Sequence, residues 1–124
     1  MVIPLTLLIV EDDFGLATMY QHIFQLEGFE IKVASTVEDA TRILNEKTID
    51  VCLTDINVID GNMLDMISHH HSFLNNQVKF ILHSGDERFR ETALELDIAF
   101  AGKPIAIEAL ISLVKGLSHQ KRTA

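Results

Sequence analysis

Cysteine and basic side chains are both scarce in this chain, and each scarcity removes a class of function. One cysteine among 124 residues leaves no intramolecular disulfide to form. Cys52 lies inside the apolar run DVCLTD, where a thiol packs as a small hydrophobe rather than serving as a nucleophile. A cytoplasmic protein is therefore expected. Lysine and arginine number 10 against 18 aspartates and glutamates, for a formal net charge of -8. Nucleic acid and anionic membranes both attract clustered Lys and Arg, so direct binding to either is not expected. Long apolar runs are missing too. The start, MVIPLTLLIVEDD, has no basic leader region and is cut off by Glu11, and no stretch of about 18 apolar residues follows, so neither export signal nor membrane anchor is expected. Repeats and low-complexity tracts are absent as well.

What remains is an ordinary globular composition, 48% hydrophobic and 23% charged, in a length that suits one domain stable without staples. The expected division is a single domain over 1–118, with 119–124 a C-terminal tail or linker stub. Two kinds of segment alternate. Short apolar, β-favouring runs occur at LTLLIV, FEIKVA, DVCLT, VKFILH and IAFAG, each too short for an ordinary helix. Between and after them, apolar residues recur at helical spacing: Leu16, Met19, Tyr20, Ile23 and Phe24; Val37, Ala40, Ile43 and Leu44; Met63, Met66 and Ile67; Phe89, Ala93 and Leu96; Ile107, Leu110, Leu113, Val114 and Leu117. The stretch Ser35–Glu38 fits a capping box before the second helix, and Pro104 is expected to open the last one. Strict β-α alternation with short connections implies an α/β fold, a doubly wound parallel sheet of about five strands covered by helices on both faces. In FEIKVA, Glu30 and Lys32 alternate with Phe29, Ile31 and Val33, which marks an edge strand. The first and third runs read as central.

Polar residues gather just past the strand C-termini, the edge at which open α/β sheets bind ligands. Glu11, Asp12 and Asp13 follow the first strand, Asp55 the third, Ser84 the fourth and Lys103 the fifth. Adjacent acids repel, so a folded site that collects them usually contains positive charge. If the first and third strands are neighbours, Glu11, Asp12 and Asp55 share one small pocket suited to a hard divalent ion, Mg²⁺ above all, with Mn²⁺ as a substitute. Asp13 reads as a helix cap. Each of these residues alone is commonplace: acids after strands cap helices, and Ser-Gly and Lys-Pro are turn dipeptides. Their joint placement on four strand ends is not.

From LLIVEDD through CLTDINVIDGNMLDMI and ILHSG to FAGKPI, the chain resembles the receiver domains of two-component response regulators, above all the single-domain chemotaxis-regulator type. The resemblance implies a flavodoxin-like receiver fold with strand order 2-1-3-4-5. It implies a bacterial signalling protein that takes a phosphoryl group from a phosphohistidine of a histidine kinase or histidine phosphotransfer domain. By position, Asp55 matches the phosphoacceptor, Glu11 (through water), Asp12, Asp55 and the backbone carbonyl of Asn57 the metal ligands, and Ser84 and Lys103 the phosphoryl-binding hydroxyl and lysine. Phe100 matches the aromatic switch residue that acts with Ser84, and a cis bond is implied between Lys103 and Pro104. A downstream protein, or a second copy of the domain, would engage the face made by the fourth helix, fifth strand and fifth helix. Asn57, Gly85 and Asp86 match positions that govern water access to the acyl phosphate and point to a short-lived phosphorylated state; Asp86 as a mere cap of the fourth helix is the alternative.

The departures are local. Ile59, Asp60 and Gly61 stand where many receivers read Leu-Pro-Asp-Gly, Met63 replaces a later glycine, and Asp97 and Ile98 replace a Gly-Ala pair. Two other readings compete: a receiver-like interaction module that works without phosphorylation, and a Mg²⁺-dependent phosphohydrolase, for which the chain supplies no substrate cap. His69–His71 read as a solvated helix end, since consecutive helical side chains splay apart. His83 reads as a satisfied histidine on the strand face opposite Ser84.

Overall fold

The computed structural model describes residues 4–73 and 78–123, with side chains described outside 70–73 and 119–123. In chain order the elements are β1 (Thr6–Val10), α1 (Phe14–Leu26), β2 (Glu30–Ala34), α2 (Val37–Glu46), β3 (Val51–Thr54), β4 (Asn57–Val58), β5 (Gly61–Asn62), α3 (Met63–Phe73), β6 (Lys79–Ser84), α4 (Phe89–Glu95), β7 (Ala99–Gly102) and α5 (Ile107–Thr123). Five strands form one parallel sheet in the order β2-β1-β3-β6-β7. Counting only the strands of this sheet, that order is 2-1-3-4-5. The remaining two, β4 and β5, form a separate two-stranded antiparallel hairpin directly after β3.

The sheet divides the core in two. Leu8, Val10, Cys52, Phe80 and Leu82 pack on one side beneath α2, α3 and α4. Leu7, Ile9, Val51, Leu53 and Ile81 pack on the other beneath α1 and α5. Alternate residues of each central strand thus bury on opposite faces, which is why those strands are mostly apolar, with Thr54, His83 and Ser84 as buried polar residues near their C-terminal ends. β3 is buried at every position, whereas the edge strand β2 is fully buried only at Ala34. Each aliphatic or aromatic side chain taken fully out of water contributes about 1.5–3 kcal/mol.

Several local features differ from the sequence reading. Helix α2 begins one residue later than the Ser35–Glu38 box, with Thr36 as its cap: Thr36 Oγ1 accepts from the Asp39 N–H at 3.0 Å. The Val37 and Glu38 amides are taken instead by the Asp60 carboxylate, at 2.6 and 3.1 Å. Pro104 does not open the last helix; α5 starts at Ile107, and the Lys103–Pro104 peptide is cis. The backbone of α5 stays helical to Thr123, beyond the expected end at Leu117. Met19 remains 42% exposed despite its helical spacing, because α1 is covered by the sheet on one side only. Asp97 adopts a φ of 58°. That is the left-handed region, which aspartate is among the few non-glycine residues to tolerate. The side chains of His70 and His71 lie outside the described residues.

Candidate functional site

All five parallel strands end on the same edge, so the residues just past Val10 and Thr54 converge. The Glu11 N–H donates to the Ala34 carbonyl at 3.0 Å, carrying the β1–β2 ladder one step beyond the strand. The Glu11 side chain is 5% exposed; Oε2 accepts from the Asp13 N–H at 3.2 Å and Oε1 from Lys103 Nζ at 2.9 Å. The Asp55 N–H donates to the Val10 carbonyl at 2.9 Å. Its Oδ1 accepts from the Ile56 N–H at 2.7 Å, and its Oδ2 faces Lys103 Nζ at 3.3 Å. Asp12 is exposed at the mouth. One oxygen from each of Glu11, Asp12 and Asp55 lies within 4.8 Å of the other two. Asp13 points away and caps α1, Oδ1 accepting from the Leu16 N–H at 3.1 Å.

Burial by itself pulls the Lys103 ammonium down, but the hydrogen bond to Glu11 and the charges of Asp55 and Glu11 outweigh it, so its pKa lies above the ordinary lysine value. Lys103 is therefore cationic. Its one positive charge faces three carboxylates that repel one another. A hard divalent cation with oxygen ligands and retained waters fits that donor set and charge deficit, as Mg²⁺ does.

Ser84 and Phe100 lie on the other side of the pocket. Ser84 ends β6 at 9% exposure, and its Oγ accepts from the Asp86 N–H at 3.0 Å. The Lys103 N–H donates to the Ser84 carbonyl at 2.9 Å, which brings the lysine back to the sheet edge. Phe100 is half-buried on the α4 side, the face to which β6 turns Phe80 and Leu82 and therefore also Ser84. The Arg90 guanidinium sits 4.7 Å from the centre of the Phe100 ring and is itself held by Glu87 at 2.8 and 3.2 Å. Asn57 is exposed at the start of β4. Asp86 closes the turn before α4: its carboxylate accepts from the Arg88 N–H at 3.0 Å and pairs with the Arg88 guanidinium, which holds its pKa below the usual carboxylate range.

His83 lies on the opposite face, at 2% exposure, and is satisfied twice: Nδ1 meets the Ala101 carbonyl at 2.8 Å and Nε2 the Tyr20 hydroxyl at 2.8 Å. A carbonyl only accepts, so Nδ1 carries the proton and Tyr20 donates to Nε2. Burial pushes the His83 pKa down and the Tyr20 pKa up, so both are neutral.

The chain matches the family model described as the response regulator receiver domain over residues 7–115. It belongs to that family. As a receiver domain it is 26% identical over 113 residues to the regulatory protein VirG of Rhizobium radiobacter, covering 87% of this chain and 41% of that protein. It is 27% identical over 119 residues to the swarming motility regulation protein RssB of Serratia marcescens, covering 94% and 54%. The chain thus spans about half the length of the curated relatives it matches, or less. Among solved structures, a receiver domain from Methanospirillum hungatei superposes with a TM-score of 0.89 at 21% identity, covering 98% of both chains. The receiver domain of the TMAO respiratory regulator TorR does so at 0.83 and 28%, covering 94% of this chain and 98% of that one. Among the described residues of this receiver domain, no helix is long and apolar enough to cross a membrane.

The sequence reading missed three contacts around the site in this receiver: the Asp60 carboxylate at the N-terminus of α2, Arg90 over Phe100, and Tyr20 against His83. Tyr20 and His83 are 63 positions apart, a separation at which local spacing carries no signal.

Proposed function

We propose that this receiver domain is a phosphorylation-dependent signalling switch in which Asp55 accepts a phosphoryl group from the phosphohistidine of a sensor kinase or phosphotransfer protein. The observation that carries this reading is the contact of Lys103 Nζ with Asp55 Oδ2 at 3.3 Å, beside the Glu11–Asp12 pair. An Asp55 carboxylate oxygen attacks phosphorus, the P–N bond breaks, and its electron pair returns to the donor imidazole. That attack needs charge neutralisation and alignment more than acid–base help. Glu11 (through water), Asp12, Asp55 and the Asn57 carbonyl would hold Mg²⁺, whose contribution is to neutralise charge on the phosphoryl oxygens. Lys103 supplies a second positive charge, and the Ile56 N–H steadies one Asp55 oxygen.

The product carries a new dianionic group. A charge pair at about 4 Å is worth roughly 4 kcal/mol at an effective dielectric near 20. Lys103 already contacts Asp55, so the gain on phosphorylation is smaller than that. A charge-assisted bond from Ser84 Oγ–H adds about 1.5–3 kcal/mol. Reversing a 1:99 population needs about 5.5 kcal/mol, so these contributions support a substantial shift. Ser84 moving toward the phosphoryl group opens space for the Phe100 ring and reshapes the α4-β7-α5 face, where a downstream protein or a second copy binds. Asn57, Gly85 and Asp86 tune hydrolysis by admitting and orienting water, giving a short-lived signal. The domain, set at 1–118, works in the cytoplasm and turns over no separate substrate.

The test is intact-mass measurement after incubation with a small-molecule phosphodonor and Mg²⁺. Wild type is expected to gain one phosphoryl group and Asp55→Asn none. Absence of any gain in wild type would favour a receiver that acts without phosphorylation.

A further inference from the structure

We propose that Asp60 is a positioning residue for the metal-binding loop, fastening the tip of the β4–β5 hairpin to the N-terminus of α2 and so fixing the direction of the Asn57 carbonyl. This rests on the reading above, in which that carbonyl is a metal ligand.

The first amides of a helix have no partner within it. In α2, Thr36 Oγ1 takes the Asp39 N–H at 3.0 Å and the Thr36 carbonyl takes the Ala40 N–H at 3.0 Å. The Val37 and Glu38 amides receive their acceptors from Asp60, Oδ1 at 2.6 Å and Oδ2 at 3.1 Å, across 23 and 22 positions of sequence. Both bonds are to an anion at a helix N-terminus, the stronger kind of hydrogen bond. The same two bonds hold the Asp60 carboxyl below the usual range, that to Val37 foremost.

The hairpin is held separately at its base. Asn57 pairs with Asn62, the Met63 N–H donates to the Ile56 carbonyl at 2.8 Å, and Asn62 Oδ1 accepts from the Leu64 N–H at 2.7 Å. Val58 is 8% exposed and anchored in the core, whereas Ile59, at the tip, is 70% exposed. Gly61, at a φ of 153°, turns the chain beside Val37, whose Cγ2 lies 3.8 Å from where a Cβ would stand. Core and α3 therefore fix the base of the hairpin, and the Asp60 tie fixes the tip. A carbonyl on a strand of two residues is aimed by both ends.

The experiment follows Mn²⁺ binding through the electron paramagnetic resonance signal of free Mn²⁺, using the whole chain as wild type, Asp60→Ala, Asp60→Asn and Thr36→Ala. Loss of groups that orient metal ligands typically weakens affinity by 10–100-fold, and Asp60→Ala is expected near the lower end, about tenfold. Asp60→Asn keeps one acceptor oxygen and should fall between. Thr36→Ala removes a cap from the same helix without touching the hairpin and should bind as wild type. Amide exchange at residues 57–62, without metal, should quicken in Asp60→Ala, less in Asp60→Asn, and not in Thr36→Ala. Equal losses in Asp60→Ala and Thr36→Ala would assign the effect to α2 stability and overturn the positioning role, as would wild-type affinity or unchanged exchange in Asp60→Ala. A wild type that binds no Mn²⁺ overturns the metal reading and this role with it; a wild type that binds while Asp60→Ala binds equally well overturns this proposal alone.

Discussion

Removing one oxygen atom from the core, by Tyr20→Phe, tests the assignment of the buried His83 bridge. Tyr20 and His83 are 5% and 2% exposed, so water cannot replace the lost hydroxyl, and Nε2 is left as a buried acceptor without a donor. Such a group costs about 1–3 kcal/mol. At a urea m-value of about 2 kcal/mol/M, the unfolding midpoint falls by roughly 0.5–1.5 M. Acid should do similar damage. Burial, reinforced by Lys103 and opposed by the Ala101 bond and Asp55, sets the folded His83 pKa below its ordinary 6.5. Between the folded and unfolded values the unfolded chain binds more protons, so stability rises with pH there. The contribution of neutral His83 is complete above 6.5 and is lost as pH falls through the folded value, at up to about 1.4 kcal/mol per pH unit. Urea titrations followed by far-ultraviolet circular dichroism at pH 7.5 and 5.5, on wild type, Tyr20→Phe, His83→Leu and the double variant, separate the two effects. Tyr20→Phe should cost less once His83 is gone, and His83→Leu should flatten the pH response. If Tyr20→Phe costs the same in both backgrounds, or if His83→Leu keeps the wild-type pH response, the tautomer assignment and the coupling are wrong.

Asp12→Ala should weaken Mg²⁺ binding, read by calorimetry, far more than Asp13→Ala, whose carboxylate is committed to the Leu16 N–H; equal losses would reverse those roles. In a phosphoryl decay assay without any phosphatase, Asp86→Arg and Asn57→Arg should both slow hydrolysis. If neither does, Asp86 keeps only its turn-closing role with Arg88. Amide and ring NMR shifts of α4, β7 and α5 should change when a phosphoryl mimic is added to wild type, with Phe100 at the centre; identical spectra would exclude the switch. Phe24→Ala, at a position with 0% exposure, should cost about 3–5 kcal/mol in urea unfolding while leaving phosphorylation at Asp55 intact.

The strands were legible because a strand buried on both faces has to be largely apolar, as β3 is from Val51 to Leu53. The alternation of Glu30 and Lys32 with apolar residues identified the edge strand for the same reason in reverse. The reactive set was legible because parallel strands all deliver their last residues to one rim, so Glu11, Asp12, Asp55, Ser84 and Lys103 could be grouped before any coordinates. Contacts between elements that meet only in the folded state were not legible. The Asp60 carboxylate displaces the expected capping box only because the hairpin tip happens to reach α2, and nothing within Ser35–Glu38 announces it. The Tyr20–His83 bond depends likewise on the Tyr20 hydroxyl of α1 reaching the sheet face on which His83 of β6 lies. The exposed Met19 was indistinguishable by spacing from its buried neighbour Tyr20, since a periodicity marks a helix face without fixing how far the covering layer extends.

The β2 rim of the sheet carries charge of both signs, and this bears on how the protein behaves when crowded. An exposed strand edge offers unpaired N–H and C=O groups to any other chain, the starting point of edge-to-edge aggregation. On the β2 rim, Glu30 and Lys32 stand two residues apart with their charged ends at 3.8 Å and side chains 57% and 38% exposed. A strand arriving there would have to dehydrate both charges to form its ladder, an expense that water-exposed ion pairs do not recover. That rim is thus guarded, and concentrated solutions of the domain should stay free of aggregates grown by strand addition at β2.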